Sequence, residues 1–512
     1  MKPMTSTERI FLRLERPGYP IDVVGVYVVA ASADEGPLPF EHVRQRLDLR
    51  AHTIPLLWRK VASAPLGIGE DRWVQASRLN IDEHLRQVTV PAPGNTRAML
   101  DVILDVTKDP LDRNLPLWQA WYLEGLENGR TAFLLRTHHA LVDGMGGMEI
   151  NDALFDTEPV PVDFRLRHDP VLGEPDEPVL WRALREVPDR MARELVATTR
   201  IVQAAARAVG DADLGGRVGG AISAAPKALT QVRRRLPSLP KKLVSPPRVS
   251  GSDLPHLPRF VPSVLHHPPR TLLNRHVSDP AKSIAVIDLP FEHVQEIRSG
   301  RPGVTINDIL LTLVTGALRG YLAGRDDLPD RPLWTTCPVN LRSEDDHDVT
   351  DEGNNFTTMW VELPVHLDDP AQRLRAVQSS SAAAKKNLGT AQASWDALAN
   401  VGDLLLPGVV HAAMVFAGTP VFEYIPPTLN LTVSTMRGPS RDAYFAGRRI
   451  ENYYGRMIIC PPVHLFIHSV TYNGLVEFGV TSVKELVPDP EVIAEGLRTE
   501  LELQLSLVHA GQ

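Results

Sequence analysis

Apolar positions along this chain form short unbroken runs that alternate with stretches of helical period, which predicts a mixed α/β protein. Residues 23–31 are apolar and valine-rich, as in a buried strand. Helical patterns follow at 40–47 and 96–106. Residues 131–136 predict a second strand that ends at His138-His139. The glycine-rich stretch 144–147 then turns the chain into a helix over 148–155.

The pattern breaks near residue 159. Residues 159–178 are proline-rich and acidic, a linker by composition. Residues 181–209 predict an arginine-rich helix interrupted at Pro188. A second α/β unit runs from about residue 271. It carries strands at 283–289, 359–364, 429–434 and 464–472, and a helix at 307–322 with Thr305 or Asn307 near its cap. Tyr472-Asn473-Gly474-Leu475 is an Asn-Gly hairpin turn. A closing helix spans 490–507, with Asp489 placed to cap it and Pro490 in its first turn. The expected organisation is a first lobe at 1–160, a proline-rich and basic linker at 161–268, and a second lobe at 269–512.

Composition narrows the classes. With 43% hydrophobic and 23% charged residues, the 512-residue chain can bury a large core, so wholesale disorder is excluded. A net charge of −8 argues against a nucleic-acid binder. The charge is uneven, because residues 181–250 hold 14 basic and 5 acidic side chains. Cys337 and Cys460 are the only cysteines, too few for a disulfide scaffold or a cysteine metal site; a reduced, cytoplasmic setting is expected. Neither a signal peptide nor a membrane-spanning run is visible.

Candidate chemistry lies in Thr137-His138-His139-Ala140-Leu141-Val142-Asp143-Gly144. Two histidines end a strand, where side chains are presented to a cleft, and histidine is the usual base at neutral pH. Asp143 can hold the loop by pairing with a basic group or orient a ring, and Gly144 lets the backbone reverse. Structural histidines are one alternative. A metal site is another, but His139 and Asp143 supply only two ligands where catalytic zinc usually takes three from protein. His266-His267 sit in a Pro-Pro-Arg context and read as linker residues. There is no Gly-x-Ser-x-Gly elbow and no phosphate-cradling loop. Direct transfer is then the simplest chemistry: His139 deprotonates a bound hydroxyl that attacks an activated acyl group, with oxyanion donors coming from the other lobe.

His138-His139-x3-Asp143-Gly144 resembles the signature of the bacterial wax ester synthase/diacylglycerol acyltransferase family, shared with peptide-synthetase condensation domains. Glu8-Arg9-Ile10-Phe11-Leu12 is similar to the family opening, with Glu8 where aspartate is usual. Leu115-Pro116-Leu117-Trp118 resembles its Pro-Leu-Trp block, and Thr305-Ile306-Asn307-Asp308 its Asn-Asp block. Pro338-Val339-Asn340-Leu341-Arg342 and Gly353-Asn354-Asn355-Phe356 follow in order. Ser434-Thr435-Met436-Arg437-Gly438-Pro439 departs from the usual Ser-Asn-Val-Pro-Gly-Pro, on the acceptor side or lobe interface.

The resemblance implies a two-lobe, chloramphenicol-acetyltransferase-like α/β fold, each lobe a mixed sheet with flanking helices. It implies His139 as general base, His138 in support, Asp143 holding the loop and Gly144 at its turn. Pro116, Trp118, Asn307, Asp308, Asn354 and Ser434 are then substrate-binding or lobe-interface candidates. Core packing is the plainer reading for Pro116–Trp118, and a helix cap for Asn307. The implied activity is acyl-CoA-dependent esterification of diacylglycerol to triacylglycerol, with long-chain alcohols giving wax esters. Alternatives are another lipid-alcohol acceptor or a non-catalytic lipid-surface binding protein. No metal or cofactor is expected, acyl-CoA being a substrate, and no nucleic-acid partner. An enzyme of insoluble lipids without a membrane span would work at the inner membrane face or a lipid droplet. Residues 181–250 are the candidate anchor, with a solvated linker as the plain alternative.

Overall fold

In the computed structural model, residues 2–63, 71–142, 144–160, 268–340, 356–389 and 426–510 are described. The expected linker, with its basic helix at 181–209 and His266-His267, lies outside them, as do Asp143 and Asn354. The elements in chain order begin with β1 (Lys2–Pro3), α1 (Ser6–Leu14), β2 (Asp22–Val29), α2 (Phe40–Ala51), β3 (Arg59–Ala62) and β4 (Arg72–Gln75). Next come α3 (Ile81–His84), β5 (Leu85–Thr89), α4 (Thr96–Val106), β6 (Trp118–Glu124), β7 (Thr131–His138) and α5 (Gly144–Leu154). Beyond the linker are β8 (Lys282–Pro290), α6 (Phe291–Ser299), α7 (Ile306–Ala323), β9 (Leu333–Asn340), β10 (Phe356–Leu363) and α8 (Pro370–Lys386). The chain closes with β11 (Leu431–Arg437), β12 (Tyr444–Phe445), β13 (Arg448–Arg456), β14 (Leu465–Tyr472), β15 (Leu475–Val483) and α9 (Pro490–His509).

Two six-stranded sheets organise the described residues, in the orders β12-β13-β2-β7-β6-β5 and β10-β9-β11-β14-β15-β8. All eight residues of β7 are buried, the apolar run 132–135 suiting a strand covered on both faces. It pairs antiparallel with β2 on one side and β6 on the other. In the second lobe α7 is apolar nearly all round and lies among α8, α9 and the sheet. The β14–β15 hairpin closes through Asn473 and Gly474 at φ 50° and 74°, the left-handed pair of a type I′ turn.

Three expectations are corrected. The helix after the histidines starts at Gly144 itself rather than at 148. Asp489 precedes α9 but makes no side-chain cap bond; its carboxylate takes Arg325 Nη2 at 2.6 and 2.8 Å and the Tyr321 hydroxyl at 2.9 Å. The largest difference is topological: within the expected second lobe, β12 and β13 leave the second sheet and complete the first, where β13 pairs with β2. The lobes also meet where Met99, Leu100 and Ile103 of α4 share a core cluster with Ile284 of β8. β13 packs across onto β14 and β15.

Candidate active site

The site is built from the N-terminal helix upward. Thr5 caps α1: its Oγ1 accepts from Glu8 N at 3.2 Å, while the Glu8 carboxylate accepts from Thr5 N at 2.6 Å. This capping box accounts for Glu8, since the longer carboxylate at the third helical position reaches back to the cap. The same helix buries Phe11 and Leu12. The chain then runs past Glu15, reverses at Gly18 (φ 78°), and enters β2.

The end of β7 is clasped from both neighbours. His138 N donates to Leu117 O at 3.0 Å, and His139 N donates to Ile21 O at 2.9 Å. Leu117 is the middle residue of the Pro-Leu-Trp block, so that block fixes the backbone at His138. Its Trp118 is 1% exposed, stacks on His84 at 4.1 Å and donates Nε1–H to Leu57 O at 2.8 Å. Pro116 is buried beside it. The structure therefore places Pro116 and Trp118 in the core of the first lobe.

The two histidines differ in what surrounds them. His138 is 0% exposed, and its Nδ1 accepts the Ala140 backbone N–H at 3.0 Å. An accepting Nδ1 puts the proton on Nε2. Nε2 faces Glu15 Oε1 at 3.3 Å, an electrostatic pairing distance without close alignment. Glu15 Oε1 also takes Ile21 N at 3.4 Å, and Oε2 takes Arg113 Nη2 at 3.0 Å. Burial works to raise the Glu15 carboxyl, but His138 and Arg113 outweigh it and hold it at about 2. His139 is half-buried at the end of the otherwise buried strand, its ring 4.4 Å from that of Phe11. Beneath this loop, Asp22 sits fully buried between Arg136 and Arg456, with Arg136 Nε donating at 2.5 Å.

From the second lobe, Thr305 and Asp308 form the capping box of α7, so Thr305 is the cap. Asn307 instead accepts from Thr435 Oγ1 at 2.8 Å, which ties the start of α7 to β11. Asp308 is buried, and its Oδ1 makes no hydrogen bond among the described residues. Ser434 is half-buried on β11, opposite His468 of β14. Two residues on, Met436 packs against the cluster that contains Ala140, Leu141 and Val142. The hydrogen bonds of Asn307 and Asp308 themselves stay within the second lobe.

Two sheet-bearing lobes, the first carrying a histidine pair at a strand end, give the molecule a chloramphenicol-acetyltransferase-like fold. A wax ester synthase/diacylglycerol acyltransferase from Marinobacter aquaeolei superposes with a TM-score of 0.64 at 21% identity, covering 100% of both chains. The starter condensation domain of rhizomide synthetase superposes at 0.51 and 12% identity, over 99% of this chain and 95% of that one. The wax ester synthase/diacylglycerol acyltransferase catalytic-domain model matches residues 4–310, and the family's C-terminal domain matches 352–504. The chain belongs to this family. A putative diacylglycerol O-acyltransferase of Mycobacterium bovis is 27% identical over 503 residues, 98% of each chain. Another, of Mycobacterium tuberculosis, is 28% identical over 517 residues, 98% of this chain and 90% of the relative.

Proposed function

We propose that the protein transfers a fatty acyl group from acyl-CoA to the free hydroxyl of diacylglycerol, forming triacylglycerol, and takes long-chain alcohols as a second acceptor class. The observation that carries the reading is the division of labour in the histidine pair. His138 has Nδ1 committed to Ala140 and Nε2 turned to Glu15. His139, half-buried at the end of β7 on a clasped backbone, works as the base. His139 takes the hydroxyl proton as the oxygen attacks the thioester carbonyl. The C–O bond forms, the C–S bond breaks, and the thiolate leaves with the proton from the imidazolium. Asp143 holds the loop and Gly144 opens α5, while Asn307, Asp308, Asn354 and Ser434 shape the acceptor side. No metal or bound cofactor takes part in this scheme.

The test is an assay with labelled acyl-CoA against diacylglycerol and hexadecanol. His139→Ala should lose at least ~100-fold in turnover with thermal unfolding near wild type. Chelators should leave the wild-type rate unchanged. Near-normal turnover in the variant would remove His139 from the role, and turnover on neither acceptor would move the reading to another lipid alcohol.

A further inference from the structure

One buried polar cluster lies outside the proposed transfer machinery, between the two sheets. Glu477 of β15 and Asp288 of β8 stand directly opposite each other in the antiparallel register. Opposed residues project from the same face of a sheet. Here that face meets β13 of the other sheet. The Asn452 Nδ2 amide donates to both carboxylates, to Glu477 Oε1 at 2.9 Å and Asp288 Oδ2 at 3.2 Å. Glu477 Oε2 accepts Tyr453 N at 2.7 Å, and Asp288 Oδ2 accepts the Tyr454 hydroxyl at 3.0 Å. Glu477 is 0% exposed. Asp288 Oδ1 is sealed from solvent and has no hydrogen-bond partner among the described residues.

The charged groups acting on the cluster stand back from it. Arg498 of α9 attracts Asp288 but is itself ion-paired with Glu495 at 3.4 Å. Arg130, before β7, acts on Tyr454 and is paired with Glu127 at 3.1 Å and Glu451 at 4.0 Å. Tyr453, Tyr454 and Tyr472 complete the titratable surroundings. Two carboxylates that share one amide, with no cation in contact among the described residues, cannot both ionise cheaply.

We propose that Asp288 and Glu477 share one proton at neutral pH, and that this proton is a latch holding β13 of the first sheet against β8 and β15 of the second. Its loss on the alkaline side sets two negative charges against one amide and loosens the junction of the lobes. Burial first, then the Asp288 charge, push the Glu477 carboxyl up to about 8, while Asn452 pulls the other way; burial raises Asp288 too. The pair titrates as a unit. Because the folded-state value lies above the ordinary 4.5, the contribution is complete below about pH 4.5. It falls as pH rises and is gone above about 8.

Hydrogen exchange on the full-length protein between pH 5 and 9, corrected for intrinsic exchange, tests this at the amides of β13. In the wild type, protection at Tyr453 should fall up to about tenfold per pH unit until about pH 8 and then level. Glu477→Gln matches the protonated acid in shape and cannot ionise, so with only Asp288 left to titrate its protection should fall far less across this range. Equal pH dependence in the two proteins, or none in the wild type, would overturn the latch. Asp288→Asn covers a misfolding Glu477→Gln: with the repelling charge gone, the fall in protection should be smaller and should level at a lower pH. An unmoved profile in Asp288→Asn counts equally against the shared proton.

Discussion

At the scale of single residues, Glu15 does more than its place in a turn suggests. One carboxylate faces His138 Nε2, takes Ile21 N and holds Arg113, and Ile21 in turn takes His139 N through its carbonyl. Glu15 is thus a positioning residue for the loop that carries His139. Glu15→Ala should leave the His138 ring nitrogen buried and unpaired, a cost of about 1–3 kcal/mol. It should also lower kcat roughly 10- to 100-fold, by displacing a group that works only in one geometry. Glu15→Gln keeps an acceptor for His138 Nε2–H and should recover much of the rate lost in Glu15→Ala, although it gives up the charge on Arg113. Equal losses in the two variants would make Glu15 merely structural. The histidine motif was legible because it is contiguous in sequence. Glu15 was not: a carboxylate between Leu14 and Arg16 looks like a solvated charge until folding brings β7 beside it.

Elements whose pattern is set locally could be read to the residue. The helix expected over 96–106 is α4, and Thr305 caps α7 as its position ahead of an apolar run suggests. The Asn-Gly hairpin is where its left-handed φ requirement puts it. β13 escaped, because Arg448-Arg449-Ile450-Glu451-Asn452 offers charges where a buried strand should be apolar. Asn452 is met by Glu477 and Asp288 of the facing sheet, which no local window contains, while Arg448 pairs with Glu35 and Arg449 with Asp442. The same packing makes Gly479 exacting. His468 is 1% exposed, and a Cβ added to Gly479 would lie 2.0 Å from its Cε1. The ring is buried on all sides, which drives its pKa down to about 4 and keeps it neutral. Gly479→Ala should cost about 1–3 kcal/mol by overpacking, seen as a lower denaturation midpoint. Adding His468→Ala should recover part of that loss, since the two sites share one space.

For the whole molecule, the two-lobe class followed from the order of motif blocks, whereas the exchange of strands between lobes followed from nothing local. No helix among the described residues is long and apolar enough to cross a membrane. We propose, from their charge, that the basic residues of 181–250, outside the described residues, make contact with the lipid phase. Replacing Arg233, Arg234, Arg235, Lys241 and Lys242 with glutamine should weaken flotation with anionic vesicles. Each basic group near such a surface contributes about 1 kcal/mol, and added salt should weaken the wild type in the same way. Activity on detergent-solubilised acceptor should persist. Unchanged flotation at low salt would eliminate these five residues as an anchor.

The path of β13 bears on how such a chain can be divided, inherited or rebuilt. The family's two sequence domains match 4–310 and 352–504, yet the strand that covers β2 belongs to the second of them. A cut between the two would strip that cover from Asp22-Val23-Val24-Gly25-Val26-Tyr27-Val28-Val29, leaving a long, valine-rich edge of the kind that recruits foreign strands. The severed piece would carry β12 and β13 with no sheet to join. Shuffling halves between relatives therefore has to carry residues 444–456 along with the first lobe or match them to it. The boundary that matters for recombination runs through the fold, not along the chain.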